Sequence, residues 1–284
     1  MRVLVLGGTA FVGRAIVDAM LASGLSPTLF NRGTSALFPE VPRLVGDRST
    51  GDYSALSSDS WDAVVDVSGY VPRHVGQAMA ALDGRVGRYL FISSHVVYAP
   101  CGPGADEDTP RREPVRDTEV LTNETYGPCK VACEDDVLAR FGDRATIVRP
   151  SKVAGPFDPQ EGFTHWLRLA AAGGRVEVPG DPAQPVQLID SRDLAQLVVR
   201  LLVDDRPGAY NAVGPITTLA DLITTCASAA GTSVEIARVP PAPAPLIRAD
   251  WTTQQRSSAR ARAAGMPVTP LAATATDVLA WDRA

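Results

Sequence analysis

The feature that most constrains the fold lies at the N-terminus, where an apolar run, a glycine-rich turn and a helical pattern follow one another. Residues 2–6, Arg-Val-Leu-Val-Leu, predict a buried parallel strand. Residues 7–13, Gly-Gly-Thr-Ala-Phe-Val-Gly, lead into a helix predicted over residues 10–23. Such a turn directs backbone N–H groups and the positive helix end at a pyrophosphate. The order therefore favours dinucleotide binding over a purely structural tight turn.

The turn departs from the usual glycine pattern at one position. Gly7 and Gly13 match two positions of a G-x-x-G-x-x-G turn, and Ala10 takes the middle one. One extra methyl group at a close approach predicts a small shift of the phosphate. The residues expected to contact the dinucleotide here are Gly7, Thr9, Ala10, Phe11, Val12 and Gly13.

Strand-like and helical patterns alternate through the first half of the chain. Further strand-like runs occur at residues 28–30, 43–45, 63–67, 88–93 and 146–148. Further helical patterns occur at residues 77–82 and 127–141. This alternation predicts an α/β fold built on a Rossmann-type, doubly wound parallel sheet.

Lysine is scarce in this chain, and one of the two lysines stands in an informative position. Lys130 and Lys152 are the only lysines among 27 basic residues, and Lys130 closes the run Tyr-Gly-Pro-Cys-Lys that begins at Tyr126. This spacing at the start of a helix puts the tyrosine and the lysine on one face, about one turn apart. A nearby ammonium favours the phenolate and lowers a tyrosine pKa that is ordinarily about 10. The pattern indicates an acid–base pair, although alone it also fits a chance spacing on a surface helix.

Four segments occur together in an order typical of one family. They are the N-terminal turn, residues 91–98 (Phe-Ile-Ser-Ser-His-Val-Val-Tyr), the Tyr126–Lys130 pair, and residues 149–156 (Arg-Pro-Ser-Lys-Val-Ala-Gly-Pro). In these segments the chain resembles the extended short-chain dehydrogenase/reductases, the NAD-dependent epimerase/dehydratase superfamily. Residues 29–33 are most similar to the atypical reductase-like branch related to chloroplast stem-loop-binding proteins. The resemblance covers nearly the whole chain, and it specifies the fold and cofactor better than the substrate.

The resemblance also implies a division of the chain. Residues 1–156, with returning segments near 185–212, are expected to form the dinucleotide-binding domain. Residues 157–184 and 213–284 are expected to form a smaller C-terminal part that carries the substrate site. Residues 240–245, Pro-Pro-Ala-Pro-Ala-Pro, predict a stiff connector.

The residues after the second predicted strand indicate the type of cofactor. Dinucleotide folds usually place an acid there, which binds the adenosine ribose and repels a 2′-phosphate. Here Asn31 stands at that position and Arg32 follows, so a guanidinium is available for a phosphate. NADP(H) is therefore favoured, and NAD(H) remains the alternative if Arg32 is a solvated loop charge. The resemblance adds as cofactor-binding residues Asp47, Arg48, Val67, Ser68, Gly69, Tyr126, Lys130, Pro150 and Val153.

The resemblance assigns the chemistry to three side chains. Ser94 would hydrogen-bond the reacting oxygen, Tyr126 would donate or remove the proton, and Lys130 would activate the tyrosine. Ser93 is the alternative to Ser94. The activity implied is an oxidoreductase that reduces a carbonyl, or oxidises an alcohol, of a small metabolite.

Departures from the family narrow the reaction. Sugar-nucleotide dehydratases carry Thr-Asp-Glu where this chain has Ser94, His95 and Val96, and a valine cannot take up a proton. Nucleotide-sugar epimerases place a diphosphate-binding arginine where Val186 stands, and an asparagine where Lys152 stands. Both a dehydratase and a nucleotide-sugar substrate are therefore disfavoured.

The remaining substrate candidates each have two interpretations. Lys152 meets either an anionic group of the substrate or a carboxylate at the seam between the two parts. His95 and His165 fit pocket acids or bases, and Trp166 fits a stacking wall; packing or ordinary hydrogen bonding explains each as well. Two alternatives to the oxidoreductase stay open: an epimerase that retains its cofactor, and a non-catalytic dinucleotide sensor or RNA-associated protein.

Composition limits the other partners. The net charge of −5 provides no basic footprint, so nucleic acid is not expected. No apolar stretch approaches membrane-spanning length and Arg2 leads directly into the first strand, so we expect no membrane or signal segment and a cytoplasmic location.

Cys129 and Cys133 lack further ligands nearby, so no metal site is expected. Val131, Val137 and Leu138 add apolar surface to the helix that begins at Tyr126, and the resemblance implies a homodimer through it.

Overall fold

A computed structural model describes all residues from 1 to 284. The strands are β1 (Arg2–Leu6), β2 (Ser26–Asn31), β3 (Arg43–Val45), β4 (Trp61–Asp66), β5 (Val86–Ile92), β6 (Ala145–Pro150), β7 (Lys152–Ala154), β8 (Gly174–Pro179), β9 (Pro185–Asp190), β10 (Gly208–Ala212), β11 (Ile216–Thr218) and β12 (Val234–Val239). The α-helices are α1 (Phe11–Ala22), α2 (Pro72–Ala81), α3 (Tyr126–Phe141), α4 (Gly162–Ala172), α5 (Ser191–Val203), α6 (Leu219–Ala230), α7 (Ala259–Ala263) and α8 (Leu271–Asp282).

The main sheet has seven parallel strands in the order β10-β6-β5-β4-β1-β2-β3. From β1 the chain builds outward through β2 and β3, and then returns to β4 on the other side of β1. The strand order therefore reverses beside β1, and ligands of such sheets bind at this point, outside the carboxyl ends of the strands. The Rossmann-type doubly wound fold predicted from the sequence is confirmed.

Both faces of the main sheet are covered, which explains why its strands are continuously apolar. In β1 the side chains of Val3 and Val5 join a core cluster with α1 and α5 on one face. Leu4 and Leu6 point the other way and pack in a second cluster with α2 and α3. Alternation along the strand thus supplies a core on each side of the sheet.

The C-terminal part has its own core, formed by α4, α6, α8 and two small sheets of order β11-β9-β7 and β12-β8. The sequence analysis placed returning segments near 185–212 in the dinucleotide-binding domain, and two strands lie there, β9 (Pro185–Asp190) and β10 (Gly208–Ala212). The second segment does join the main sheet, as β10, but the first lies in the three-stranded sheet with β7 and β11. Past the predicted boundary at residue 213, Ala261 of α7 also packs into the core of the main sheet. The division into two domains stays a prediction.

The α3 helix does not offer the apolar surface expected for a dimer. Val131 and Val137 are buried within the chain, because they pack beside Val97 and against the main sheet, respectively. Leu138 alone is exposed, at 37%. The homodimer stays a prediction, and Leu138 is the one of these three residues that is exposed.

No helix in the structure combines the length and the apolar character needed to cross a bilayer.

Candidate active site

The glycine-rich turn between β1 and α1 forms a cradle of backbone groups. Gly7 and Gly8 have φ angles of 114° and 93°, which L side chains rarely adopt. A Cβ on Gly13 would lie 2.8 Å from the Gly8 nitrogen, so this glycine lets α1 pack directly on the turn. Ala10 precedes α1 and supplies no capping side chain, and the first turn of the helix has no acid. Its N–H groups are therefore left for an anion.

A cleft of about 470 Å³ opens beside this turn. It gathers these residues predicted to bind the cofactor: Gly7, Thr9, Ala10, Gly13, Asn31, Arg32, Asp47, Arg48, Val67 and Ser68. Sequence analysis missed Tyr70 and His74, which also line it. Tyr70 lies in the turn after β4 and His74 in the first turn of α2, so their position after the carboxyl end of that strand was the available signal.

Other predicted cofactor residues lie outside the walls of this cleft. Phe11 lines a second cavity of about 520 Å³ between α1 and α5, which includes none of the glycines of the turn. Val153 is buried in the core on the α1 side of the sheet, and Val12 packs against the same core. Gly69, Tyr126, Lys130 and Pro150 are likewise not among the residues lining the cleft.

Asn31 ends β2 and Arg32 follows it, and the two side chains differ in whether their polar groups already have partners within the chain. The Asn31 amide donates to the carbonyl of Gly7 at 3.4 Å and accepts from the Gly33 N–H at 2.9 Å, so it braces the turn. Arg32 is exposed in the cleft and forms no ion pair. Hydrogen bonds from Ser49 hold the pKa of Asp47 below its ordinary value, with a smaller contribution from Arg32. Arg32 is thus the free cation of the cleft.

Arg48 lines the cleft, but its guanidinium is committed elsewhere. It forms a bidentate pair with the buried carboxylate of Asp66 at the end of β4. Arg48 as a cofactor-binding residue stays a prediction; in this structure it lines the cleft while its charge is paired with Asp66.

Ser94, Tyr126 and Lys130 come together at the carboxyl end of β5. Ser94 follows that strand, and its hydroxyl accepts a hydrogen bond from the Val96 N–H at 3.4 Å. Tyr126 begins α3, and the Lys130 ammonium lies 6.0 Å from the centre of its ring. This ammonium, 1% exposed as a residue, donates to the carbonyls of Gly69 at 2.6 Å and Ile92 at 2.8 Å.

The pKa values of this group run against the sequence prediction for the tyrosine. Burial, with a smaller contribution from Tyr70, raises the pKa of Tyr126 to about 12, and the Ser94 hydroxyl opposes this rise. Burial also lowers the pKa of Lys130 to about 8. Lys130 is not among the groups that shift the pKa of Tyr126; its ammonium lies 6.0 Å from the centre of the tyrosine ring and donates to two carbonyls. Tyr126 is therefore protonated at neutral pH and suited to act as an acid.

Several buried polar atoms near these residues lack hydrogen-bond partners. They are Ser93 Oγ, His95 Nδ1 and Ser151 Oγ; in the loop after β7, Asp158 Oδ2 also lacks a hydrogen bond but lies 3.7 Å from the Lys152 ammonium. A buried polar group without a partner costs about 1–3 kcal/mol, a cost that a polar ligand removes. Ser93 and Ser151 directly follow the neighbouring strands β5 and β6. Asp158 was missed by the sequence analysis, since it lies in an irregular proline-containing loop.

Two of the predicted substrate residues, Lys152 and His95, lie in different electrostatic surroundings. Lys152 hydrogen-bonds Gln160 and lies 3.7 Å from the carboxylate of Asp158, a contact of the kind that its second interpretation describes; its role stays a prediction. Burial, with Arg256 and Arg248, lowers the pKa of His95 to about 4, which leaves its imidazole neutral.

The last two substrate candidates lie on α4, within the C-terminal part. Trp166 is buried in that core and donates to the Pro245 carbonyl at 2.8 Å, which agrees with the packing interpretation; a stacking role stays untested. The half-buried His165 contacts the Trp166 ring edge-on, with ring centres 5.0 Å apart.

Comparisons with known proteins agree with this architecture. Residues 55–213 match the NAD dependent epimerase/dehydratase family. The chain belongs to this family. It is similar to the chloroplast stem-loop binding protein of 41 kDa b of Arabidopsis thaliana, with 27% identity over 259 residues, 81% of this chain and 63% of that protein. It is also similar to the 2′-dehydrokanamycin reductase of Streptomyces kanamyceticus, with 30% identity over 219 residues, 72% of this chain and 59% of that protein. The chain thus spans less than two thirds of either relative.

A solved structure shares the fold over the full chain. The UDP-glucuronic acid 4-epimerase of Bacillus cereus, in complex with NAD, superposes with a TM-score of 0.78 and 16% identity, covering 100% of this chain and 99% of that chain. At this identity the likeness establishes the fold alone.

Proposed function

We propose that the protein is a nicotinamide-dinucleotide-dependent oxidoreductase that reduces a carbonyl, or oxidises the alcohol, of a small metabolite. The observation that carries the proposal is the convergence of Ser94, Tyr126 and Lys130 at the carboxyl end of β5. There Lys130 donates to Ile92, two residues before Ser94, while its ammonium lies 6.0 Å from the Tyr126 ring centre. Family membership and the reductase relative are consistent with this activity.

The cleft suits a dinucleotide. Gly7 and Gly8 allow the backbone angles of the turn, Gly13 lets α1 pack directly on it, and the uncapped start of α1 offers N–H donors to a pyrophosphate. When bound, a nicotinamide dinucleotide supplies or accepts the hydride. The NAD in the Bacillus cereus epimerase supports this cofactor class. Arg32, exposed and without a carboxylate partner, favours NADP(H) because its guanidinium can pair with a 2′-phosphate.

The side chains handle the proton. In the reducing direction the substrate C=O becomes C–H and O–H, and Tyr126 gives its proton to the oxygen while Ser94 donates a hydrogen bond to that oxygen. The raised pKa of Tyr126, about 12, keeps this proton in place at neutral pH. In the oxidising direction the same tyrosine must first lose its proton, so we expect oxidation to require a higher pH than reduction.

The unpartnered atoms near the site indicate a polar substrate. His95 is neutral and its Nδ1 is buried without a partner, so this residue can hydrogen-bond a hydroxyl or amino group. Lys152 is already close to Asp158, which makes it a weaker candidate for an anionic group.

A carbonyl screen tests the proposal. Purified protein is incubated with NADPH or NADH and a panel of aldehydes and ketones, and the loss of reduced-nicotinamide absorbance is followed. We expect turnover of at least one polar carbonyl compound, lost in Tyr126→Phe but not in Tyr210→Phe. Tyr210 lies in β10 and donates to the Pro207 carbonyl, so it provides a matched loss of one phenolic oxygen. Equal turnover by both variants would reject the assignment of Tyr126.

A further inference from the structure

A buried ion pair lies between the cofactor cleft and Lys130. The carboxylate of Asp66 is fully buried. It accepts hydrogen bonds from both Nη atoms of Arg48, one of them at 2.9 Å, and from the Tyr89 hydroxyl at 2.7 Å. Burial raises the pKa of Asp66, but Arg48 and Tyr89 outweigh burial and hold that pKa below its ordinary value. Asp66 is therefore ionised, and a charge in this position organises every donor around it.

The same carboxylate shapes the turn that follows β4. Asp66 accepts the Ser68 N–H at 3.1 Å, and Arg48 donates to the Ser68 hydroxyl at 3.0 Å. The Ser68 hydroxyl in turn donates to the carbonyl of Leu6 at the end of β1. The ion pair thus ties the turn 67–69 to the neighbouring strand from two sides.

Gly69 completes this turn and holds Lys130. A Cβ at Gly69 would lie 2.9 Å from Asp66 Oδ2 and 2.7 Å from a methyl group of Val75, so the backbone here packs directly on the ion pair. The Gly69 carbonyl accepts the shorter of the two hydrogen bonds from Lys130, at 2.6 Å. Any movement of the Asp66–Arg48 pair is therefore passed to the ammonium through one short backbone turn.

Electrostatics connects the same groups. The groups that face the ammonium are Asp66 and Arg48 beneath the turn, Cys133 and Glu134 on α3, and the rings of Tyr70, Phe91 and Tyr126. Asp66 raises the pKa of Lys130, whereas Arg48 lowers it. The two members of the pair therefore act on Lys130 with opposite signs.

We propose that the Asp66–Arg48 ion pair is the positioning element of the site, which fixes the turn 67–69 and thereby places both the wall of the cofactor cleft and the ammonium of Lys130. The functional meaning of Lys130 rests on the proposed oxidoreductase activity. The position and charge state of its ammonium can be measured without any activity.

Because the chain has only two lysines, the Lys130 side chain can be observed directly by NMR. Lysine labelled with ¹³C at Cε gives two side-chain signals, because Lys130 and Lys152 are the only lysines of the chain, and Lys152→Arg assigns them. The Lys130 signal is followed against pH by NMR in the unliganded protein, and circular dichroism verifies that each variant is folded.

Opposite shifts are expected from the two halves of the pair. Asp66→Asn should lower the pKa of Lys130 by about one unit or more, since an attractive charge is lost and Arg48 is left unpaired. Arg48→Gln should raise the pKa of Lys130, because the carboxylate then faces the ammonium without competition. Each variant disrupts a buried ion pair, so one of the two can fail to fold. The sign of the Lys130 pKa shift in the other variant then tests the proposal alone.

A matched control separates positioning from general destabilisation. Asp190 is also a buried carboxylate with a similar set of donors. It accepts hydrogen bonds from the backbone N–H and the guanidinium of Arg192 and from the hydroxyl of Thr274. Asp190→Asn should leave the Lys130 titration unchanged. A folded Asp66→Asn or Arg48→Gln variant whose Lys130 titrates like the wild type, or shifts with the opposite sign, overturns the proposal. Failure of the carbonyl screen alone would reject only the proposed activity.

Discussion

Lys130 donates a 2.6 Å hydrogen bond to the carbonyl of Gly69, and it is this bond that fixes where the ammonium of the site lies. A second bond, to Ile92 at the end of β5, places the ammonium beside the strand that Ser94 follows. Tyr126 is one helical turn away on the same face of α3. The backbone of the main sheet, more than the tyrosine itself, therefore holds the cation of this candidate active site.

Replacing Lys130 should affect cofactor binding as well as turnover. Lys130→Ala removes a buried cation from two carbonyls and from any ribose hydroxyl that it meets, so NADPH should bind about tenfold more weakly or worse. Lys130→Arg keeps the charge, but the planar guanidinium does not fit a site built for a compact ammonium, so only partial activity is expected. Fluorescence titration of NADPH measures both variants, and wild-type affinity in Lys130→Ala would contradict the cofactor contact.

The depressed pKa of Lys130 has a signature in stability against pH. With a pKa of about 8 when folded and 10.5 ordinarily, the unfolded chain binds the extra proton between these values, so this contribution raises stability as pH increases. Below pH 8 the full penalty is present, on the order of 3 kcal/mol. The difference in unfolding free energy between the wild type and Lys130→Met should shift by about that amount across the window. Urea titrations at several pH values test this, and a pH-independent difference would rule it out.

Arg32 should set the cofactor preference. It is exposed in the cleft without a carboxylate partner, whereas Arg48 is neutralised by Asp66. We expect tighter binding of NADPH than of NADH, and Arg32→Ala should remove most of that difference. Arg73→Ala is a suitable comparison, because Arg73 is engaged with Glu119 and does not line the cleft. Equal affinities of the wild type for both cofactors would disprove the preference.

The homodimer expected from the family is the least supported prediction. Leu138 is the one exposed residue of the three that favoured it, and Asp136 nearby pairs with Arg116. If copies pair through α3, light scattering at micromolar concentration should give twice the chain mass, and Leu138→Asp should give a monomer. A monomeric wild type under these conditions would refute the dimer.

The main sheet was predictable because its strands are buried on both faces, as the continuous apolar run of β1 shows. The small sheets of the C-terminal part could not be predicted in the same way. The strand β9 is as apolar as a strand of the main sheet, and its partners β7 and β11 lie in other segments of the chain. The sequence also did not reveal the partner of Arg48, Asp66. The position of Arg48 after β3 is typical of a cofactor residue, but the carboxylate that neutralises it ends the next strand along the chain. Spacing placed Tyr126 and Lys130 on one helical face but did not reveal the two carbonyls that engage the lysine.

Hydride transfer by Tyr126→Phe, with a substrate identified in the carbonyl screen, tests the central claim most directly. The variant removes one oxygen and leaves the ring, so folding and cofactor affinity should be nearly unchanged. Single-turnover rates with saturating cofactor, and a deuterium isotope effect to establish that chemistry is rate-limiting, compare it with the wild type and with Tyr210→Phe. The account predicts a fall of about 10² or more in Tyr126→Phe alone. A Tyr126→Phe rate equal to that of the wild type, with chemistry rate-limiting, would show that Tyr126 is not the acid.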